Sequence, residues 1–161
     1  MISDIRIIYV AEGILTIGFL ALLARVAYVD WKTKRIPDFC ILALLGLGAL
    51  AFVLLPEPTM AQRISGLFAV SVPMFFLVLL IPGAFGGGDI KLVAAGGFFL
   101  GAAAVCRAFF CALCVGAVYS LYLIIVRKKS FREEIAFGPF LVLGMVMVQL
   151  GWSKITLSPI I

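Results

Sequence analysis

The sequence predicts an all-α polytopic membrane protein, about six transmembrane helices in one compact bundle, and three observations lead there. The chain is 65% hydrophobic and 13% charged, with a mean hydropathy of +1.25, too few polar side chains to cover a water-facing globule. Its apolar runs approach the roughly 20 residues that cross a bilayer, and charge, proline or glycine closes each one. Such runs with short connections use all 161 residues, which predicts one domain over 1–161 and no soluble domain beside it.

The first apolar segment runs from Ile7 to Val29 and is closed by Asp30-Trp31-Lys32-Thr33-Lys34-Arg35. It is too long, and lacks the small-residue cleavage site, for a signal peptide. The second runs from Phe39 to Leu55 and stops at Pro56-Glu57-Pro58, where two prolines cannot continue a helix. The third extends from Ile64 to Ile81 and ends at Pro82-Gly83; the fourth starts at Asp89 and continues through Ala104, with a turn expected at Cys106-Arg107. A fifth, Ala108 to Val126, meets Arg127-Lys128-Lys129, and a sixth follows Phe137-Gly138-Pro139 to Trp152.

Missing residue types exclude whole chemistries. The chain has no histidine and no asparagine, so His-based zinc sites and Ser-His-Asp or Cys-His nucleophiles are ruled out, and carboxylates remain as acid–base groups. Cys40, Cys106, Cys111 and Cys114 lie in or beside apolar runs. Cys111 and Cys114 form a CxxC, but zinc needs two further ligands, so all four read as small core residues. No metal and no cofactor are expected.

Positive charge sets the predicted orientation. Loops at 30–38, 83–91 and 127–136 fall on one side and hold Lys32, Lys34, Arg35, Lys91, Arg127, Lys128, Lys129 and Arg132; the other side holds Arg6, Arg63, Arg107 and Lys154. Cytoplasmic loops are rich in Lys and Arg, so the first group is expected to face the cytoplasm, with both termini outside. The net charge of +5 thus reads as topology, with anionic membrane lipids as its counter-charge. Nucleic acid is not an expected partner, because the basic residues are split among short loops.

That topology brings two acids together. Asp30 ends the first span and Asp89 begins the fourth, so both belong at the cytoplasmic edge. Glu12 is excluded, because about 18 residues of helix at about 1.5 Å each place it about 27 Å away; Glu57 is on the far side too. Asp38 competes from the correct side, and Glu133 and Glu134 fall in a basic loop. Two facing carboxylates suit amide hydrolysis: one takes a proton from water while the other donates to the peptide carbonyl and then to the leaving nitrogen. At about 5 Å and an effective dielectric near 20 their repulsion is roughly 3 kcal/mol, against about 0.3–1 kcal/mol from a helix N-terminus at Asp89. The pair should therefore share one proton and titrate as a unit.

Gly86, Gly87 and Gly88, immediately before Asp89, have two readings. One is cleared room for a substrate strand in a cavity where irregular backbone is tolerated; the other is a flexible turn with Asp89 as an N-cap.

Gly86-Gly87-Gly88-Asp89 matches the GxGD motif of intramembrane aspartyl proteases, and Asp30-Trp31-Lys32-Thr33-Lys34-Arg35-Ile36-Pro37-Asp38 resembles the first catalytic region of type IV prepilin peptidases and archaeal preflagellin peptidases. Phe137-Gly138-Pro139-Phe140-Leu141, followed by Gly144, is similar to the last span of the bacterial enzymes. The resemblance implies that Asp30 and Asp89 are the catalytic pair and Asp38 a supporting polar group. Lys91 would tune the dyad or anchor to lipid phosphate, and Gly138 and Pro139 would shape packing near the site. The implied substrates are pilin-like precursors, with a short basic leader followed by an apolar helix, cut at that junction for pilus or secretion-pseudopilus assembly.

Glu133 and Glu134 are candidates for recognising a basic leader. Larger relatives carry a cytoplasmic insertion with paired CxxC motifs and also N-methylate the new terminus; this sequence shows no such insertion, so methyl transfer is not expected. The short form resembles peptidases of Flp-type tight-adherence systems. A channel, transporter or assembly subunit is the alternative from another class, although acids at the edges rather than spaced through the membrane favour surface chemistry. Ser130 beside Lys128 and Lys129 reads as a charged loop rather than a Ser-Lys nucleophile.

Overall fold

A computed structural model describes residues 2–127 and 136–156. It is all-helical among the described residues: α1 (Ile2–Thr33), α2 (Asp38–Leu54), α3 (Met60–Ala69), α4 (Ser71–Leu80), α5 (Gly87–Leu100), α6 (Ala102–Arg127) and α7 (Gly138–Thr156).

Local chemistry explains the boundaries. Beyond α1, Lys34 takes a positive φ of 52°, and Pro37 at the N-cap of α2 restarts the chain with φ −67°. Thr59 and Gln62 form a capping box at the start of α3, with the Thr59 N–H donating to Gln62 Oε1 at 2.9 Å. α3 and α4 make one rod interrupted at Val70. Pro73, three residues on, has no N–H to continue the ladder and its ring crowds the carbonyl one turn back.

The expected turn at Cys106-Arg107 is not there. The chain instead breaks at Gly101, whose φ of +84° suits glycine alone, and Cys106 and Arg107 lie inside α6. The expected fourth and fifth segments therefore become 87–100 and 102–127. The cysteines also divide: Cys40 is buried, but Cys106 and Cys114 are exposed on α6 and Cys111 is half-buried, so only Cys40 is a core residue.

α5 is the hub, touching α2, α3, α4, α6 and α7, while α1 packs against α2 and α7. Glycine permits the closest approaches. A Cβ on Gly66 or Gly97 would run into the other's carbonyl oxygen across the α3–α5 contact, and one on Gly144 would meet the Ala108 carbonyl across α6–α7. Such small-residue seams are how helices pack when apolar burial gives no drive between them. Phe19 of α1 stacks on Phe99 of α5, centroids 4.2 Å apart.

The outward surface is apolar, with Ile7, Ile14 and Ile17 on α1 and Phe110, Val118 and Ile125 on α6 exposed. Arg6–Thr33, Met60–Leu80 and Ala102–Leu123 are long and apolar enough to cross a membrane. Lys128, Lys129, Ser130, Arg132, Glu133 and Glu134 lie outside the described residues.

Candidate active site

Asp30 sits in the last turns of α1 and Asp89 in the first turn of α5. Both are buried, at 4% and 8% exposure, and both line one cavity of about 330 Å³. They lie within electrostatic reach of one another. The α1–α2 connection forms one wall through Lys34, Arg35, Ile36 and Asp38, and Gly86 to Gly88 form the other.

Each carboxylate is held by the start of a helix. Asp89 is not the N-cap of α5 but lies three residues inside, where its Oδ2 accepts the backbone N–H of the N-cap residue Gly86 at 3.2 Å. Asp30 faces the start of α7, whose Gly138 N–H is directed at its carboxyl. A Cβ at Gly138 would stand 2.5 Å from Asp30 Oδ2 and 2.9 Å from Cγ, so this approach requires glycine. Pro139 follows in the first helical turn, where no intrahelical partner waits for an N–H. Asp30 Oδ2 is buried with no hydrogen-bond partner. A buried carboxylate oxygen left this way is costly, by about 1–3 kcal/mol or more, and such sites recur where chemistry needs them.

The three glycines do different things. A Cβ on Gly88 would come within 3.1 Å of Ile36 Cβ, so Gly88 admits the α1–α2 connection; one on Gly86 would crowd Asp89 Oδ2 at 3.2 Å; one on Gly87 would meet nothing within 4 Å. Only Gly87 borders open space.

Asp38 and Lys91 pair with each other rather than with the dyad. Lys91 Nζ donates to Asp38 Oδ1 at 2.6 Å, with side chains 56% and 72% exposed. This strap joins α2 to α5 at the cavity mouth, and exposure holds its worth to about 0–1 kcal/mol. Glu12 and Glu57 line a different cavity, together with Arg63.

Arg63 is the residue that the loop-charge reading missed. It is fully buried, and its Nη1 donates to the carbonyls of Phe98 and Phe99 at 3.3 Å each, in the last turn of α5, where carbonyls have no helical partner. The signal was available: Thr59 followed three residues later by Gln62 is a capping-box pattern, which places Arg63 inside a helix.

Two buried, mutually interacting carboxyls at the end of an apolar helical bundle define a candidate acid–base centre. The family model described as the type IV leader peptidase family matches residues 17–121, a stretch containing Asp30, Asp38, Gly86 to Asp89 and Lys91. The chain belongs to that family. It is 30% identical over 137 residues to the prepilin leader peptidase/N-methyltransferase of Bacillus subtilis (strain 168), covering 85% of this chain and 55% of the relative. The protein of the same name from Pectobacterium carotovorum subsp. carotovorum is 31% identical over 141 residues, covering 83% and 50%. That from Dickeya chrysanthemi is 30% identical over 156 residues, covering 88% and 54%. The chain thus spans about half the length of these curated relatives. No solved structure matches it.

Proposed function

We propose that this chain is a membrane-embedded aspartyl endopeptidase that removes the short basic leader from pilin-like precursors, with Asp30 and Asp89 as its catalytic pair. The observation that carries the reading is their convergence: two acids far apart in sequence are buried together at one cavity in a chain of the leader peptidase family. With one proton between them, the ionised carboxyl removes a proton from water as it attacks the peptide carbonyl. The protonated partner donates to the carbonyl oxygen and later to the departing nitrogen. Asp30 Oδ2, which has no protein partner, is available to that water or proton. Gly87, with space above it, lets an extended substrate backbone lie close to both acids.

On this reading the dyad faces the cytoplasm, both termini face outward, and the cleaved subunits enter a pilus or secretion pseudopilus. Only peptide hydrolysis is assigned to the chain; methyl transfer is not.

The test is cleavage of a co-expressed pilin-like precursor at matched membrane levels. Asp30→Asn and Asp89→Asn are each expected to abolish it, whereas Asp38→Asn keeps most activity. Cleavage surviving both dyad changes would overturn the aspartyl mechanism.

A further inference from the structure

At the end of the bundle away from the dyad, the Arg63 guanidinium is only partly satisfied. Its Nε donates to the Pro58 carbonyl at 2.9 Å and Nη1 is shared among backbone carbonyls of α2 and α5, but Nη2 is buried with no partner. Arg63 lines a cavity of about 50 Å³ together with Glu12, Glu57, Thr16 and Gln149. Gln149 Nε2 donates to Thr16 Oγ1 at 3.0 Å, which ties α7 to α1 across it.

A second cavity of about 100 Å³ shares Glu57 and Ala104 with the first and reaches Ala102 and Ala103. These alanines form the first turn of α6, where backbone N–H groups lack helical partners and carry partial positive charge.

The charges select a ligand class. One guanidinium and a helix N-terminus favour an anion, but the Glu12 and Glu57 carboxylates would repel it. Those carboxylates favour an amine or metal cation, which would in turn meet a buried guanidinium. Glu57 acts on Arg63 through space without a hydrogen bond to Nη2. A molecule carrying both a phosphate and an ammonium resolves both conflicts.

We propose that these adjoining cavities, which share Glu57, Pro58, Leu100 and Ala104 in their walls, bind a phosphoethanolamine-type zwitterion, its phosphate oxygens on Arg63 Nη2 and the α6 N-terminus, its ammonium on Glu57 and Glu12. Depth agrees. Glu12 stands about 27 Å from Asp30 along α1, close to the roughly 30 Å hydrocarbon thickness. The cavity therefore lies at headgroup level when the dyad is at the other surface.

The test uses the purified full chain in detergent, with binding of phosphatidylethanolamine, phosphatidylglycerol and phosphatidylcholine followed by native mass spectrometry. Soluble glycerophosphoethanolamine serves as competitor. Phosphatidylethanolamine is expected to bind about tenfold more tightly than either other lipid, because phosphatidylglycerol lacks the amine and the methylated amine of phosphatidylcholine has no N–H to donate. Glu57→Gln, at an exposed side chain, should erase the preference over phosphatidylglycerol without lowering the lipid-free melting temperature. Arg63→Lys should weaken binding of all three.

Competition by the soluble compound would show that the headgroup suffices, and its failure to compete that the acyl chains are needed; either supports the site. Equal affinity for the three lipids, or a preference unchanged in Glu57→Gln, would overturn it and leave the cavity to water.

Discussion

Gly138 has the least room of the four glycines at the site. Its missing side chain lets the start of α7 reach Asp30, and a methyl group there would stand 2.5 Å from Oδ2. Gly138→Ala must therefore move α7 or the carboxyl by a sizeable fraction of an ångström. Misplacement of about 1 Å can cost about a hundredfold in rate, so precursor cleavage by Gly138→Ala is expected to fall about ten- to a hundredfold at unchanged membrane level. Gly87→Ala is the contrast, since its Cβ meets nothing within 4 Å. It should fold and melt as the parent does and impair cleavage through KM, because the methyl occupies only the path of the substrate. Lys91→Met tests the Asp38 strap. With both side chains more than half exposed, stability should change by no more than about 1 kcal/mol, read as an almost unaltered melting curve.

Among the elements, the legible features were those written in local chemistry. Prolines at 56 and 58 and the charged run after Asp30 delimited α2 and α1 well, and the acids at the ends of two separated apolar runs pointed to a shared edge. The break between α5 and α6 was misread because Cys106-Arg107 offered a polar interruption. An arginine one turn into a helix can lie along its surface, whereas the positive φ of Gly101 leaves no polarity signal. Arg63 was illegible as a buried group because its partners come from three separate stretches, at Gly48, Pro58 and Phe98-Phe99. The Thr59 capping box alone pointed to its helix. The α3–α5 seam provides the test at this scale. Gly97→Ala places a methyl against the Gly66 carbonyl, backbone that cannot swing aside, and overpacking of this kind costs about 1–3 kcal/mol. Gly101→Ala forces alanine into a glycine-only conformation, φ 84° with ψ 166°, and should cost about 1–3 kcal/mol. Gly46→Ala, with nothing within 4 Å, should be neutral or slightly stabilising, because alanine is the better helix former. Thermal melting of the three variants in one detergent would rank them, and an unshifted Gly97→Ala would contradict the close α3–α5 contact.

For the whole molecule, α5 connects two polar centres through an apolar interior. Its first turn carries Asp89 and its last-turn carbonyls accept Arg63, so the helix dipole meets a carboxylate at its positive end and a cation at its negative end. The two ends are not equivalent in energy. Arg63 leaves its own Nη2 without a partner but satisfies carbonyls that would otherwise be orphaned, whereas Asp30 is buried with an oxygen no protein group partners. Folding has to oppose that second arrangement, as expected where a site is shaped for chemistry at some cost in stability. Asp30→Ala should therefore abolish cleavage and at the same time stabilise the bundle. Removing one unsatisfied buried polar group recovers about 1–3 kcal/mol, less the loss of Gly138's contact. At this chain length about 1 kcal/mol corresponds to about 2–4 °C, so the net gain should raise the melting temperature by about that much. Asp38→Ala, at a solvated carboxylate with a salt-bridge partner, should lower the melting temperature slightly or leave it unchanged. A marked fall for Asp30→Ala would make Asp30 a structural residue, and the proposed dyad would lose one member even if cleavage were lost with it.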